Sequence, residues 1–318
     1  MPTIRIATFN VENLFARYKF NSNIDPTKAV KDGWNATQRY FDIFDEADKR
    51  ITGEAIRSLK ADILGLQEVE SLDTLKRFRD LYLGGRKAYP YVMAVDGNDP
   101  RLIDVAVISK YPIIHARSYQ DLLDSKGRFI FSRDCLEVDV EVQKGKTITL
   151  FINHFKSMLD RKQPCHGREV TRQKRLVQTE AVKKIVVERF GKNPGKHPFI
   201  ILGDFNDYLE TDKQGTTAIA SLVKWNQIEN VVDRLPQQEQ WTHFWKGNSS
   251  CGIPASYHQI DYILLSKSLA KSSSALPTIE RRGMPKRATR YSGPRFDGVG
   301  KDNPKASDHC PVLIEIRI

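Results

Sequence analysis

A short apolar run, Phe199-Ile200-Ile201-Leu202, stops at Gly203 and gives way to Asp204-Phe205-Asn206-Asp207. Consecutive large apolar residues bounded by turn formers suit a strand buried on both faces. Asp204 and Asn206 are two apart, so on extended backbone their side chains point the same way. A buried strand that delivers a carboxylate and a carboxamide to its own exit presents reactive groups from a rigid support. Taken alone, Gly-Asp-x-Asn reads as a strand followed by an Asp/Asn turn. The constraint comes from repetition, because other apolar strands of this chain end the same way.

Residues 3–10 alternate, then turn polar at Asn10, with Glu12 two positions on. Asp62-Ile63-Leu64-Gly65-Leu66-Gln67-Glu68 is a second apolar strand ending in an acid. Residues 148–152 run into Asn153-His154-Phe155-Lys156. A His at a strand exit, beside a Lys that opens a basic loop, suits a phosphate site. Gln259-Ile260-Asp261-Tyr262-Ile263-Leu264 sets a carboxylate inside an apolar run, and a buried carboxylate needs a partner. Ser307-Asp308-His309-Cys310-Pro311, just before the last strand at 312–318, supplies a candidate in His309. An Asp hydrogen-bonded to the ring would fix its tautomer and favour the imidazolium form.

Between these segments the pattern predicts strands at 91–95, 103–109, 113–118, 128–142 and 146–153. It predicts a helix from an Asp45 cap to about Lys60, and a second, capped by Ser71, with Leu72, Leu75, Phe78 and Tyr82 inward. A long helix over 168–190 would bury Val170, Val177, Ala181, Ile185 and Val186 and stop at Gly191. A shorter helical stretch falls near 217–225. The Trp pair of an aromatic strand at 241–245 reads as core, and residues 16–45 read as loop.

The chain has 318 residues and no Gly/Ser or Pro-rich tract, low-complexity block or repeat, so one domain over 1–318 is expected. No apolar run approaches the length of a membrane span. The N-terminus enters a strand pattern at once. If Met1 is the natural start, the expected compartment is the cytoplasm. No cysteine pair is spaced C-x-x-C, which argues against a zinc or redox motif. Cys135 and Cys310 fall in strand-like segments and read as buried thiols. Cys165 and Cys251 fall in loops, and a bridge between them stays open. The net charge of +11 is concentrated at 156–175 and 281–305, which favours polyanionic partners, either nucleic acid or an anionic membrane surface.

Together, Phe9-Asn10-Val11-Glu12, Leu66-Gln67-Glu68, Asn153-His154, Gly203-Asp204-Phe205-Asn206, Ile260-Asp261-Tyr262 and Ser307-Asp308-His309 resemble the endonuclease/exonuclease/phosphatase superfamily. They occur in the family's order and span nearly the whole chain. The resemblance implies an α/β fold: a four-layer α/β/β/α sandwich of two mostly antiparallel sheets with helices outside and the active site at one end. It implies that Glu68, with Asn10 and Asp308, holds Mg²⁺ (or Mn²⁺), with Glu12 as an outer or alternative ligand. Asp204 and Asn206 would orient or activate water and contact the phosphate. Asp261 and His309 would form an acid/base pair, and His154 would stabilise the charged transition state or assist the leaving group. Arg133, in Ser132-Arg133-Asp134, looks like the arginine of pancreatic-type deoxyribonucleases and would contact a phosphate; a surface pair with Asp134 is the plainer reading. Lys156 is a second phosphate-binding candidate.

His258 stands where abasic-site endonucleases carry Trp, and His154 where they carry Tyr, which argues against a dedicated abasic-site enzyme. The leading expectation is a Mg²⁺-dependent nuclease of low sequence specificity acting on DNA, its basic loops following backbone phosphates. The alternative is a phosphodiesterase or phosphatase on a lipid head group or small phosphorylated metabolite, docked in the first case on an anionic membrane. An inactive binding module on the same scaffold would have lost one or more of Glu68, Asp204, Asn206, Asp261 and His309, and all are present.

Overall fold

The computed structural model describes residues 3–16, 46–210 and 217–318. The expected Asp45 cap and all but the first residue of the expected 16–45 loop lie outside them. The strands are β1 (Thr3–Leu14), β2 (Ile63–Val69), β3 (Tyr91–Val95), β4 (Asp104–Ser109), β5 (Ile113–Arg117), β6 (Cys135–Gln143), β7 (Lys146–His154), β8 (Phe199–Asp204), β9 (Ile228–Asn230), β10 (His243–Trp245), β11 (Ser256–His258), β12 (Asp261–Ser266), β13 (Thr278–Ile279) and β14 (Val312–Arg317). Three longer helices are α1 (Glu46–Leu59), α2 (Leu72–Tyr82) and α3 (Gly167–Phe190).

Two six-stranded sheets result, ordered β13-β14-β1-β2-β4-β3 and β5-β6-β7-β8-β12-β9. Each is antiparallel except for one inner parallel pair, β1 with β2 and β7 with β8. The alternation of side chains explains the layers. Ile200 and Leu202 of β8 pack between the sheets with Ile6, Ile63 and Ile263, while Phe199 and Ile201 face α3 with Val182, Ile185 and Val186. Leu64 and Leu66 of β2 likewise turn outward to Ile51, Ile56, Leu75 and Phe78 of α1 and α2. Each such side chain stabilises the fold by about 1.5–3 kcal/mol, so strands apolar on both faces hold the inner layers together. The four-layer sandwich is the one expected.

Local chemistry sets the ends. Ser71 caps α2, accepting from the Thr74 backbone N–H at 3.2 Å, and Gly191 ends α3 with φ of 77°. Gly203 sits at φ 134°, and a Cβ there would lie 2.0 Å from the Asn153 carbonyl oxygen. Only glycine lets β8 leave the sheet so close to β7.

Several expectations need correction. Strand β6 begins at Cys135, not 128. The preceding segment folds as a loop because Asp134 accepts from the Tyr119 backbone N–H and Arg133 pairs with Asp99. Near 217–225 only Ala220–Val223 is helical. In the first half of α3, Val170 is exposed and Val177 half-buried; Thr171, Arg175 and Gln178 point inward. That half packs against the loop after β7, whose backbone needs polar partners: the Gln178 amide oxygen accepts from the Lys156 N–H at 2.8 Å. Trp241 is core, whereas Trp245 is half-buried and faces a cavity. Cys165 and Cys251 form a disulfide, and Cys135 and Cys310 are buried free thiols. No helix among the described residues is long and apolar enough to cross a membrane.

Candidate active site

The polar exits of β1, β2, β7 and β8 meet at one end of the sandwich. There Glu12, Glu68, Arg133, His154, Asp204, Asn206, Asp308 and His309 line one cavity of about 560 Å³. Asn10 and Asp261 lie just behind this lining, and each touches it through a hydrogen bond.

Asp204 is the hub. Its Oδ2 accepts from Asn10 Nδ2 at 3.0 Å and Asn206 Nδ2 at 2.8 Å, and lies 3.5 Å from His154 Nε2 and 4.0 Å from His309 Nε2. Its Oδ1 accepts from the Asn206 backbone N–H at 2.7 Å. The same turn puts Asn206 at φ 50°. Burial, only partly offset by the His309 charge, raises the Asp204 pKa to about 7.

Behind the hub, Nδ1 of His309 lies 3.0 Å from both oxygens of Asp261. The Thr242 hydroxyl donates to Asp261 at 2.7 Å and accepts from the Asp261 N–H at 3.1 Å. The Ser307 hydroxyl donates to the Asn10 carbonyl at 2.8 Å and accepts from the His309 N–H at 3.0 Å, tying β1 to the approach of β14. Burial opposes charge on His309, but the Asp261 and Asp204 carboxylates outweigh it and hold its pKa well above the ordinary value. His154 is driven the other way by burial, then by the Arg133 and His309 charges, and stays neutral. The cavity thus places a charged imidazole and a neutral one on either side of one carboxylate.

The opposite side offers oxygen donors. Glu68 Oε1 accepts from Asn10 Nδ2 at 3.3 Å and Oε2 from the Asn13 N–H at 3.0 Å. Glu12 Oε1 pairs with Lys305 Nζ at 2.8 Å, and Oε2 accepts from the Asp308 N–H at 2.8 Å. Glu12 therefore braces Asp308. Carboxylates with an amide suit a hard dication such as Mg²⁺ or Mn²⁺. Two observations fit one. Burial, and then the neighbouring Asp308 charge, push Glu12 up to about 7, a crowding of negative charge that a dication relieves. Glu12, Asn13 and Glu68 also take left-handed backbone, with φ of 46°, 63° and 67°, so strain is concentrated at this point.

Two basic residues differ from expectation. Arg133 is buried and lines the cavity, but its partners are Asp99, at 3.2 Å, and the Phe155 carbonyl, not Asp134. The Lys156 ammonium donates to the Ser157 and Leu159 carbonyls, both at 3.2 Å, so the structure does not bring it together with the others. The 281–305 stretch is also less available than its charge suggests. Arg282 pairs with Glu280, Arg287 with Asp302, and Arg295 donates to the Ala288 and Tyr291 carbonyls.

Some functional residues escaped the sequence. Arg168 and Arg175 both clamp Asp207, the residue after Asn206. Tyr208 stacks on His258 with centroids 3.9 Å apart and walls the cavity. His243, in the aromatic strand, also lines it. The pairing of β10 with β11 sets His243 opposite His258, and the packing of α3 on the exit of β8 brings Arg168 and Arg175 to Asp207; no local pattern encodes either.

Solved structures share this architecture. Truncated Caenorhabditis elegans TDP2 matches with TM-score 0.58 and 14% identity over 99% of this chain and 98% of that one. An endonuclease/exonuclease/phosphatase from Beutenbergia cavernae gives 0.61 and 15% over 100% and 72%. Danio rerio TDP2 complexed with single strand DNA product gives 0.57 and 15% over 100% of both. No curated protein sequence matches the chain. The family model for the endonuclease/exonuclease/phosphatase family matches residues 5–318. On that match over nearly its whole length, the chain belongs to the endonuclease/exonuclease/phosphatase family.

Proposed function

We propose that this chain is a divalent-metal-dependent phosphodiester hydrolase, working as one domain over residues 1–318, with nucleic acid as its substrate. One observation carries the reading: Asn10, Asn206, His154 and His309 all reach the same carboxylate oxygen of Asp204, within 4.0 Å. That convergence suits a water held beside a phosphate. Asp204 orients the water and takes its proton. His309, held by Asp261, sets positive charge against the phosphoryl oxygens. Neutral His154 donates a hydrogen bond on the other side, and Arg133 faces the phosphate. Glu68, Asp308 and Asn10 would hold Mg²⁺ or Mn²⁺, with Glu12 bracing Asp308. When bound, the ion supplies a Lewis acid that neutralises phosphoryl charge. The nucleic-acid assignment is supported by the Danio rerio relative captured with a DNA product.

A smaller diester bearing an apolar group is the second reading, and a specific observation favours it. Met158, Leu159, Pro164, Trp245, Ile253 and Pro254 form one wall of the cavity. A lipid-like diester would use that wall.

The Cys165–Cys251 bond favours an oxidising compartment over the cytoplasm.

The test is hydrolysis of single-stranded DNA, plasmid DNA and bis(para-nitrophenyl) phosphate with Mg²⁺, Mn²⁺ or EDTA. Metal-dependent DNA cleavage that Asp204→Asn abolishes supports the first reading. Cleavage of the small diester alone moves the substrate to the second. Turnover in EDTA sinks both.

A further inference from the structure

The metal position proposed above uses oxygen donors. Beside it lies a grouping of different chemistry that shares Asp308 and His309 with the hydrolytic site and adds His243, which the reading above does not use. His243, Asp308 and His309 each offer one ligand atom, and the three atoms lie within 4.8 Å of one another. His243 Nε2 is 3.8 Å from Asp308 Oδ2, and His309 Nε2 is 3.8 Å from Asp308 Oδ1. The imidazole centroids are 4.7 Å apart. All three side chains line the cavity, so an ion has an entry path.

The backbone holds this grouping in register. His243 and His309 form a bridge flanked by Phe244 N–H to the Asp308 carbonyl at 3.0 Å and Cys310 N–H to the Thr242 carbonyl at 2.6 Å. His309 also has the arrangement found behind metal-bound imidazoles, its Nδ1 held by a carboxylate and its Nε2 turned to the site. His243 is only 9% exposed, and its Nε2 faces the Asp308 carboxylate across 3.8 Å, beyond direct hydrogen-bond reach. A buried imidazole and carboxylate held apart in this way leave room for an ion between them.

We infer that His243, Asp308 and His309 form a second metal site, for a borderline dication of the zinc and cobalt class. Two imidazoles and a carboxylate favour such ions over Mg²⁺, which prefers oxygen and retains its waters. Ligand atoms about 2.0 Å from a tetrahedral ion sit about 3.3 Å apart. The three ligand atoms, within 4.8 Å of one another, therefore draw together by up to about 1.5 Å on binding, through side-chain rotation. Three protein ligands leave one position for water. Occupancy has a consequence that rests on the proposed function: the ion displaces the proton from His309 Nε2 and withdraws His309 and Asp308 from the hydrolytic site, so zinc-class ions inhibit Mg²⁺-supported turnover.

The experiment titrates the full chain with Co²⁺ in excess Mg²⁺ and reads visible d–d absorption. Wild type develops the intense bands of tetrahedral Co²⁺. His243→Ala loses them and binds Co²⁺ at least about 10- to 100-fold more weakly. Its melting temperature and far-UV circular dichroism check the fold. His243→Cys restores a ligand, so the bands return with added thiolate-to-metal charge transfer. Wild type without tetrahedral bands, or bands unchanged in folded His243→Ala, overturns the site. None of these readouts needs turnover. A chain that binds Co²⁺ through His243 but cleaves no diester keeps this inference and defeats the hydrolase reading.

Discussion

Asp261 and Cys251 are near neighbours in sequence and lie on the floor and the rim of the same cleft, yet they are held by different means. Asp261 opens an inner strand, is fully buried, and is fixed by His309, Thr242 and the strand pairing of β12 with β8. Cys251 sits in a turn outside the sheets, anchored by its disulfide to Cys165 in the loop after β7. The floor is positioned by the core itself, so its residues follow from strands that the fold needs anyway. The rim is positioned by one covalent tie across two loops. Chemistry belongs on the first kind of support, and substrate choice on the second.

The sharpest way to break this division is at the floor. Asp204→Asn keeps the shape but removes the proton acceptor, and kcat should fall by about 10²- to 10⁴-fold with little change in melting temperature. Asp261→Asn frees the His309 ring from its carboxylate and should cost about 10²-fold in kcat with KM nearly unchanged. If either variant keeps wild-type kcat, the floor is not the catalytic apparatus.

The rim should respond differently. Cys165→Ser with Cys251→Ser should lower stability by about 2–4 kcal/mol in urea melts run without reductant. Its kinetic effect should fall on KM and on the ratio between DNA and small-diester turnover, with kcat for the better substrate kept within a few-fold. Loss of kcat equal to that of Asp204→Asn would erase the distinction between the two regions.

The same contrast decides what is legible in the sequence. Asn10, Glu68, His154 and Asp204 each end a strand whose apolar run is visible locally, so the pattern alone points them toward a common end of the sandwich. Asp261 and His309 are also legible as a pair, because a carboxylate in an apolar run demands a partner. The strand expected at 128–142 starts later because Arg133 and Asp134 turn inward to distant partners, Asp99 and the Tyr119 N–H, that alternation does not reveal. Val170 and Val177 are not core because the first half of α3 packs on backbone polar groups, which reward Gln178 and Arg175 over valine. His243 and the rim depend on long-range pairing and on a disulfide left open by spacing alone.

A smaller effect tests what the floor costs. Asp104, on β4 behind Arg133, is raised to about 6 by burial first, with Asp96 and Asp99 adding to it. Its folded pKa thus lies above the unfolded value of about 3.9, so protonation stabilises the fold below that value and the gain is lost as pH rises through about 6. Asp104→Asn removes the charge. It should be more stable than wild type by about 2 kcal/mol at pH 8, with the difference fading between about pH 6 and 4. Equal urea midpoints at pH 8 would mean the carboxylate is better compensated than its surroundings indicate.

The smallest effect is expected where charge density alone promised the largest. Arg287 belongs to the basic stretch, but it is exposed and forms a bidentate pair with Asp302. Neighbouring Arg282 and Arg295 are likewise spent on Glu280 and on loop carbonyls. An exposed arginine already matched by a carboxylate releases few counterions when a polyanion arrives. Arg287→Glu should therefore change DNA affinity within about threefold and leave the salt slope nearly unaltered. Arg133→Gln, which removes a buried charge from the cavity floor, should weaken binding of phosphodiesters more than that at every salt concentration. A steep loss with Arg287→Glu and none with Arg133→Gln would reverse the order. Recognition would then begin on the outer loop, and the floor would act only after the strand is bound.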